Sequence, residues 1–320
     1  MKTKSILFLS LLACCFSACS SDDNSSNGNG GTTTEVNENK NVAGGTIPEE
    51  VTRMEFPKVE LNTSTNDTIL VRKTDDFGVT YCTNYSLGKK AVRWCCYAVY
   101  KDNNFKNWTR SSWKGATWMG KTWTGDPFQK DPSVASDAQP PVTNEFSKSG
   151  YDRGHIVASE DRIYSQDANG QTFFMTNMYP QLNAFNTGIW EKMEEQVRAF
   201  LSYDTSKDAA HANDTLYVCK GGTIDNEDEI YGRTNNGYIV PKYFWCAVLL
   251  KNSKGYQAIG FWFEHKADYK IKTLSSYAVN IDKLEKLTGL DFFCNLPDDV
   301  ENRIEASAYD PNTLSAKWGF

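Results

Sequence analysis

From about residue 67 the chain sets short runs of β-branched and aromatic residues between turn formers: DTILVRK at 67–73, GVTYCTNYSL at 78–87 and AVRWCCYAVY at 91–100. Such runs predict strands that pair into a sheet. Residues 101–150 lose this periodicity and are rich in Gly, Pro, Ser and Asn, which predicts a long functional loop packed on that sheet. Beyond it helix and strand alternate. FFMTNM at 173–178 predicts a short strand, and Ile189, Trp190, Met193, Val197 and Leu201 share one face of a helix over 188–201. TLYVCKGG, YIVPKYFWCAVLL and YQAIGFWF predict further strands, and two short helices at 281–288 and 299–307 close the chain. There is no internal repeat. The pattern is that of one mixed α+β domain over residues 51–320.

The N-terminus obeys other rules. Lys2 and Lys4 precede an apolar run, Ile6 to Phe16, too short to span a bilayer and leading into Phe16-Ser17-Ala18-Cys19. This resembles a bacterial lipoprotein signal: residues 1–18 are expected to be removed, and Cys19 to carry the lipid that attaches the protein to a membrane. Ser20, Asp22 and Asp23 resemble the outer-membrane and surface-export signals of some such lipoproteins, with the domain facing the periplasm or the cell exterior. Residues 19–50, mostly Ser, Asn, Gly and Thr, read as a flexible tether. Cys82, Cys95, Cys96, Cys219, Cys246 and Cys294 then remain in a compartment that permits disulfides, with no pairing readable, since buried free thiols suit the same apolar runs. No close Cys-x-x-Cys pair occurs, and His155, His211 and His265 are too scattered for a zinc cluster.

Charge changes the picture of the central loop. Between residues 89 and 130 nine basic side chains face two acidic ones, a local +7 in a chain of formal net charge −6. Trp108, Trp113, Trp118 and Trp123 interleave with this charge, the composition of a surface that neutralises phosphates and stacks unpaired bases. Lys114, Trp118, Lys121 and Trp123 are the substrate-binding candidates, against the alternative of tryptophans in a core beneath a solvated basic face. Gly115 to Thr122 matches the P-loop pattern letter for letter, yet polar residues precede it, and Gly and Pro interrupt the segment after it where a helix would be needed. No nucleotide cofactor is expected.

The chemistry concentrates around YDRGHIVASE at 151–160. Hydrolysis of a phosphodiester needs a base for water and positive charge for the phosphoryl oxygens. His155 suits the first task and Arg153 the second. Downstream, NAFNTGIWEKMEEQVR places Glu194 and Arg198 four apart on one helical face. Eight helical residues would hold Asn186 about 12 Å from Glu194. Asn186 is therefore expected in the turn ahead of the helix, with Thr187 as its cap, its amide oxygen a fitting ligand for Mg²⁺.

DRGH, with TNMYPQLNAFNTGIWEKMEE after it, resembles the DNA/RNA non-specific endonucleases, the family of endonuclease G and the Serratia-type nuclease, and the similarity continues through IVPKYFWCAVLL and NIDKLEKLTGLDFFCNLPDDVE. The resemblance implies an antiparallel central sheet with flanking helices and a ββα-metal finger that hydrolyses DNA and RNA. It implies His155 as general base, Asn186 as the sole direct protein ligand of Mg²⁺ (with Mn²⁺ as a substitute) and Glu194 as acceptor for metal-bound water. Arg153 and Arg198 would contact the scissile phosphate, Asn177 would support the site, and Asp152 would brace the loop. A homodimer is compatible with it. Cys294 stands where the family commonly has proline, which suggests an extra disulfide. A further arginine of the family site falls to Arg110 or Arg93. The competing reading is a catalytically silent nucleic-acid- or glycan-binding envelope lipoprotein.

Overall fold

The computed structural model describes residues 36–143, 145–201, 211–268, 273–307 and 318. The expected signal and Cys19 lie outside the described residues. Among the described residues no helix is long and apolar enough to cross a membrane.

The predicted strands form, in chain order, β1 (Asp67–Thr74), β2 (Gly78–Ser86), β3 (Ala91–Val99), a short hairpin of β4 (Thr117–Trp118) and β5 (Lys121–Thr122), β6 (Asp152–His155), β7 (Met178–Gln181), β8 (Thr215–Gly222), β9 (Ile230–Arg233), β10 (Ile239–Pro241), β11 (Tyr243–Asn252), β12 (Gly255–Glu264) and β13 (Ala278–Val279). The central sheet has seven strands in the order β1-β2-β3-β8-β11-β12-β13, every neighbouring pair antiparallel. The helices are short: α1 (Glu145–Lys148), α2 (Gln166–Gln171), α3 (Glu191–Ala199), α4 (Ile281–Thr288) and α5 (Asp298–Glu305). The fold is thus the α+β class expected, with an antiparallel sheet.

The twofold side-chain alternation of a strand gives the sheet two buried faces. On β8, Leu216 and Val218 enter one apolar cluster with Tyr97, Ile189, Trp190 and Val197. Cys219 enters the other, with Trp94, Trp245, Leu284, Phe292 and Ile304. Because β3 pairs directly with β8, the whole chain between Val99 and Thr215 is an insertion at the middle of the sheet. That insertion carries the candidate chemistry.

Three expectations change. The folded part begins by residue 36 and not at 51, because polar residues dock there through hydrogen bonds while Ala43 and Ile47 pack against the core. Asn37 Nδ2 donates to the carbonyls of Leu296 at 2.5 Å and Cys294 at 3.2 Å, and Asn41 Nδ2 to that of Pro57 at 3.0 Å. The six cysteines of the domain are buried free thiols, so the extra disulfide suggested at Cys294 does not form. Its sulfur instead accepts a hydrogen bond from Asn41 Nδ2 at 3.3 Å. The strand expected at 173–178 starts only at Met178, since Phe173 and Phe174 pack into a tryptophan cluster. The P-loop-like string, by contrast, follows its flanking residues: it forms the β4–β5 hairpin, with no helix directly after it.

Candidate active site

β6 and β7 pair as a two-stranded ribbon with His155 opposite Met178 and Asp152 opposite Gln181. Gly154 makes room for the Gln181 side chain: a Cβ there would meet Gln181 Oε1 at 2.0 Å. The ribbon leads into a widened turn, Phe185–Trp190, with i→i+5 character, and then into α3. Gly188, at φ −113° and ψ −108°, breaks the helical path. Asn186 therefore sits in an irregular turn before the helix, as the helical rise between it and Glu194 required. Thr187 is no cap, however; its hydroxyl donates back to the Asn183 carbonyl at 3.0 Å.

His155, Asn186, Glu194, Arg198, Arg153 and Arg110 line one cleft of about 340 Å³. Polar neighbours behind the cleft hold these groups in place. Asp152 Oδ2 accepts from Asn186 Nδ2 at 3.1 Å and from Asn183 Nδ2 at 2.9 Å, so the bracing role expected of Asp152 has a definite partner. With its nitrogen so committed, Asn186 offers the cleft its amide oxygen. Asn177 is fully buried: its Oδ1 accepts from Val157 N at 2.9 Å, while its Nδ2 donates to the carbonyls of Val157 at 2.9 Å and Thr172 at 2.7 Å. It fastens the chain immediately after His155.

The His155 ring lies edge-on to Phe173, centroids 5.0 Å apart, and tilted against Phe128 at 5.6 Å. Its Nε2 is buried without a protein hydrogen-bond partner. Burial, and then the nearby Arg110 charge, lower its pKa to about 3, so the imidazole is neutral at physiological pH. The Arg153 guanidinium rests 3.6 Å from the centre of the Phe128 ring, and Arg110 is held by both oxygens of Asp126. Arg110 is thus the arginine brought to the cleft. Arg93 is engaged far off by Asp67 and Asp225.

Beneath α3 lies a buried ionic network. Asp161 accepts from Arg198 Nη1 at 3.0 Å, from Tyr97 OH at 2.5 Å and from Lys220 Nζ at 3.2 Å. Lys220 Nζ also stands 3.6 Å from Glu194 Oε1. Burial pushes the Glu194 carboxyl up, against the pull of Lys220. Asp161, Tyr97 and Lys220 were not among the expected site residues. A signal for Lys220 was present: it is the one charged residue in TLYVCKGG and shares the inward face of Leu216 and Val218.

Trp118 and Trp123 are not presented for stacking on bases; they form the core of the alternative reading. Trp118 and Trp123 are buried with Trp113, Phe173 and Phe174; Trp118 stacks on Phe174 and its Nε1 donates to Asp167 at 2.7 Å. Burying these large rings outweighs leaving them exposed for ligand. Lys114 and Lys121 are exposed, Lys121 with its ammonium 3.9 Å from the Trp123 ring centre, and neither lines the cleft.

Residues 55–299 match the family described as DNA/RNA non-specific endonuclease. A nuclease of Nostoc sp. is 30% identical over 173 residues, covering 50% of this chain and 57% of that protein. Human mitochondrial endonuclease G is 27% identical over 161 residues, covering 48% of this chain and 51% of that one. The chain thus spans about half the length of the curated relatives it matches. The crystal structure of an EndoG/EndoGI complex superposes with a TM-score of 0.54 at 23% identity, covering 71% of this chain and 86% of that chain, a likeness of fold.

Proposed function

Since the chain belongs to the DNA/RNA non-specific endonucleases, we propose that it hydrolyses phosphodiester bonds of DNA and RNA in this cleft, with His155 as general base. The observation that carries the reading is the meeting of His155 with Asn186, Glu194 and Arg198, which follow much later in the chain, around one polar cleft. A neutral imidazole takes the proton from water as the water oxygen attacks phosphorus, one P–O ester bond breaks and the departing sugar oxygen takes a proton from solvent. Arg153 and Arg110 enter the cleft from one side and Arg198 from α3, where they hold and orient the phosphate oxygens.

The donor set fits Mg²⁺, with Mn²⁺ as a substitute: a single amide oxygen from Asn186, its orientation set by Asp152, and the Glu194 carboxylate lining the same cleft. Such an ion, when bound, supplies Lewis-acid stabilisation of charge on the phosphoryl oxygens. Asn186 would be its one direct ligand and Glu194 an acceptor for its waters. Upstream, lipid on Cys19 would hold the enzyme at an outer membrane, on its periplasmic or outer side.

The test is digestion of plasmid and of RNA by the purified protein with and without EDTA. The parent is expected to cut both in Mg²⁺ and neither in EDTA, and folded His155→Ala to be slower by at least about a hundredfold. Equal cutting by His155→Ala would refute the assignment. Salt-sensitive binding without cleavage would favour the silent, ligand-capturing alternative.

A further inference from the structure

On the face of the sheet opposite the cleft, α4, α5 and the loop between them bring carboxylates together. Ligand oxygens of Asp291, Glu301 and Glu305 lie within 4.8 Å of one another, as do those of Asp282, Glu285 and Glu305. Two oxygens each about 2.4 Å from one calcium ion are at most about 4.8 Å apart, so the first trio has the spacing of a shared ligand set. Among the described residues no lysine or arginine forms an ion pair with any of the five. Glu301 and Glu305 are only 4% and 7% exposed. A buried carboxylate without a paired charge carries a large desolvation cost.

A second observation points to a ligand. Glu305 Oε1 is buried with no hydrogen-bond partner, and the Glu305 carboxylate belongs to both trios. Asn39 adds to the same place: its Nδ2 donates to Asp291 at 3.2 Å and to Glu301 at 3.1 Å, while its own Oδ1 is buried and unpartnered. We propose that Asp291, Glu301 and Glu305 hold one calcium ion, which fastens the N-terminal segment and α5 to the rest of the domain. The donors are all oxygen and mostly carboxylate, the set a hard divalent cation takes. Calcium is favoured over magnesium because it accepts irregular all-protein shells, whereas magnesium demands octahedral geometry and keeps its waters. The site is structural, since the sheet separates its elements from those that carry His155.

Thermal unfolding of the full chain after chelation and dialysis tests this, in an Asn186→Ala background so that the cleft has no direct protein ligand. Calcium should raise the midpoint saturably, by about 5 °C at a hundredfold excess over Kd, with one ion per chain by calorimetry. Glu305→Gln and Glu301→Gln, each added to that background, should abolish the rise. Either substitution suffices if the other fails to fold. No calcium-dependent shift in Asn186→Ala, or the same shift surviving glutamine at 305 or at 301, would overturn the proposal.

Discussion

Replacing Lys220 by Met removes the one lysine of the buried network while keeping the length of the side chain. Lys220 is fully buried, 3.2 Å from Asp161 and 3.6 Å from Glu194. At an effective dielectric of about 20 each contact corresponds to an attraction of about 5 kcal/mol, set against the desolvation of all three ions. Asp161 keeps Arg198 and Tyr97 after the change, so its loss is partial. Glu194 loses its closest cation, with its Oε1 already buried and without a hydrogen bond. Removing one partner of a buried pair costs roughly 3–5 kcal/mol, a fall of roughly 6–15 °C in a domain of this size.

The sign of the compensation is definite. Glu194 without Lys220 should take up a proton, because the burial that already raises its pKa would then act unopposed by that charge. Urea unfolding at pH 7 should therefore show a large loss in Lys220→Met and a partial recovery in Lys220→Met/Glu194→Gln, where no lone carboxylate remains. A single-variant loss below about 1 kcal/mol, or a double variant less stable than the sum of its parts, would refute the network account.

The same geometry makes other variants informative. Asp152→Ala frees the Asn186 amide and should raise the Mg²⁺ concentration needed for half-maximal cleavage by roughly 10–100-fold, read from a metal titration; an unchanged midpoint would separate Asp152 from metal binding. Asn177→Leu leaves the Val157 N–H and the carbonyls of Val157 and Thr172 unpaired inside the protein, so stability should fall by at least about 2 kcal/mol in denaturant titration. The folded His155 ring, with a pKa of about 3, should stay neutral to pH 5 when monitored by NMR, and titration near 6.5 would contradict the burial argument. The unfolded ring takes its proton near pH 6.5, so this group's contribution to stability is complete above that pH and is lost as pH falls toward about 3.

Local chemistry was legible where it depends on periodicity and on a short motif. Alternating runs located the strands of the sheet, and helical spacing located α3 because Met193 and Val197 face the core. Asn186 was separated from the helix by rise per residue alone, and the structure answers with a widened turn broken at Gly188. Readings failed where tertiary pairing decides. Arg110 reaches the cleft because the central loop folds over the ribbon while Arg93 stays on β3, and Asp161 is a site residue only because β8 brings Lys220 beneath it. The polar N-terminal stretch had composition suited to a tether, but composition does not record that Asn37 finds a carbonyl at Leu296, in the far C-terminal part of the chain, or that Asn41 finds one at Pro57.

The tryptophans that form a core and not a base-stacking surface have a different connection to the chemistry. Trp113 and Trp118 pack with Phe173, and Phe173 in turn meets the His155 ring edge-on while the Arg110 guanidinium lies 5.6 Å from the Phe173 ring centre. An apolar wall behind the imidazole excludes water from that side, and desolvation is the largest cause of its lowered pKa. Packing in the central loop thereby keeps the base neutral and aims one cationic side chain at the same cleft. The residues that looked like a ligand surface act one layer back, through the aromatic wall, so their substitution should disturb His155 before it disturbs affinity for nucleic acid. Trp113→Leu should accordingly raise the imidazole pKa and lower kcat with little change in KM; a selective rise in KM would instead return these rings to the substrate surface.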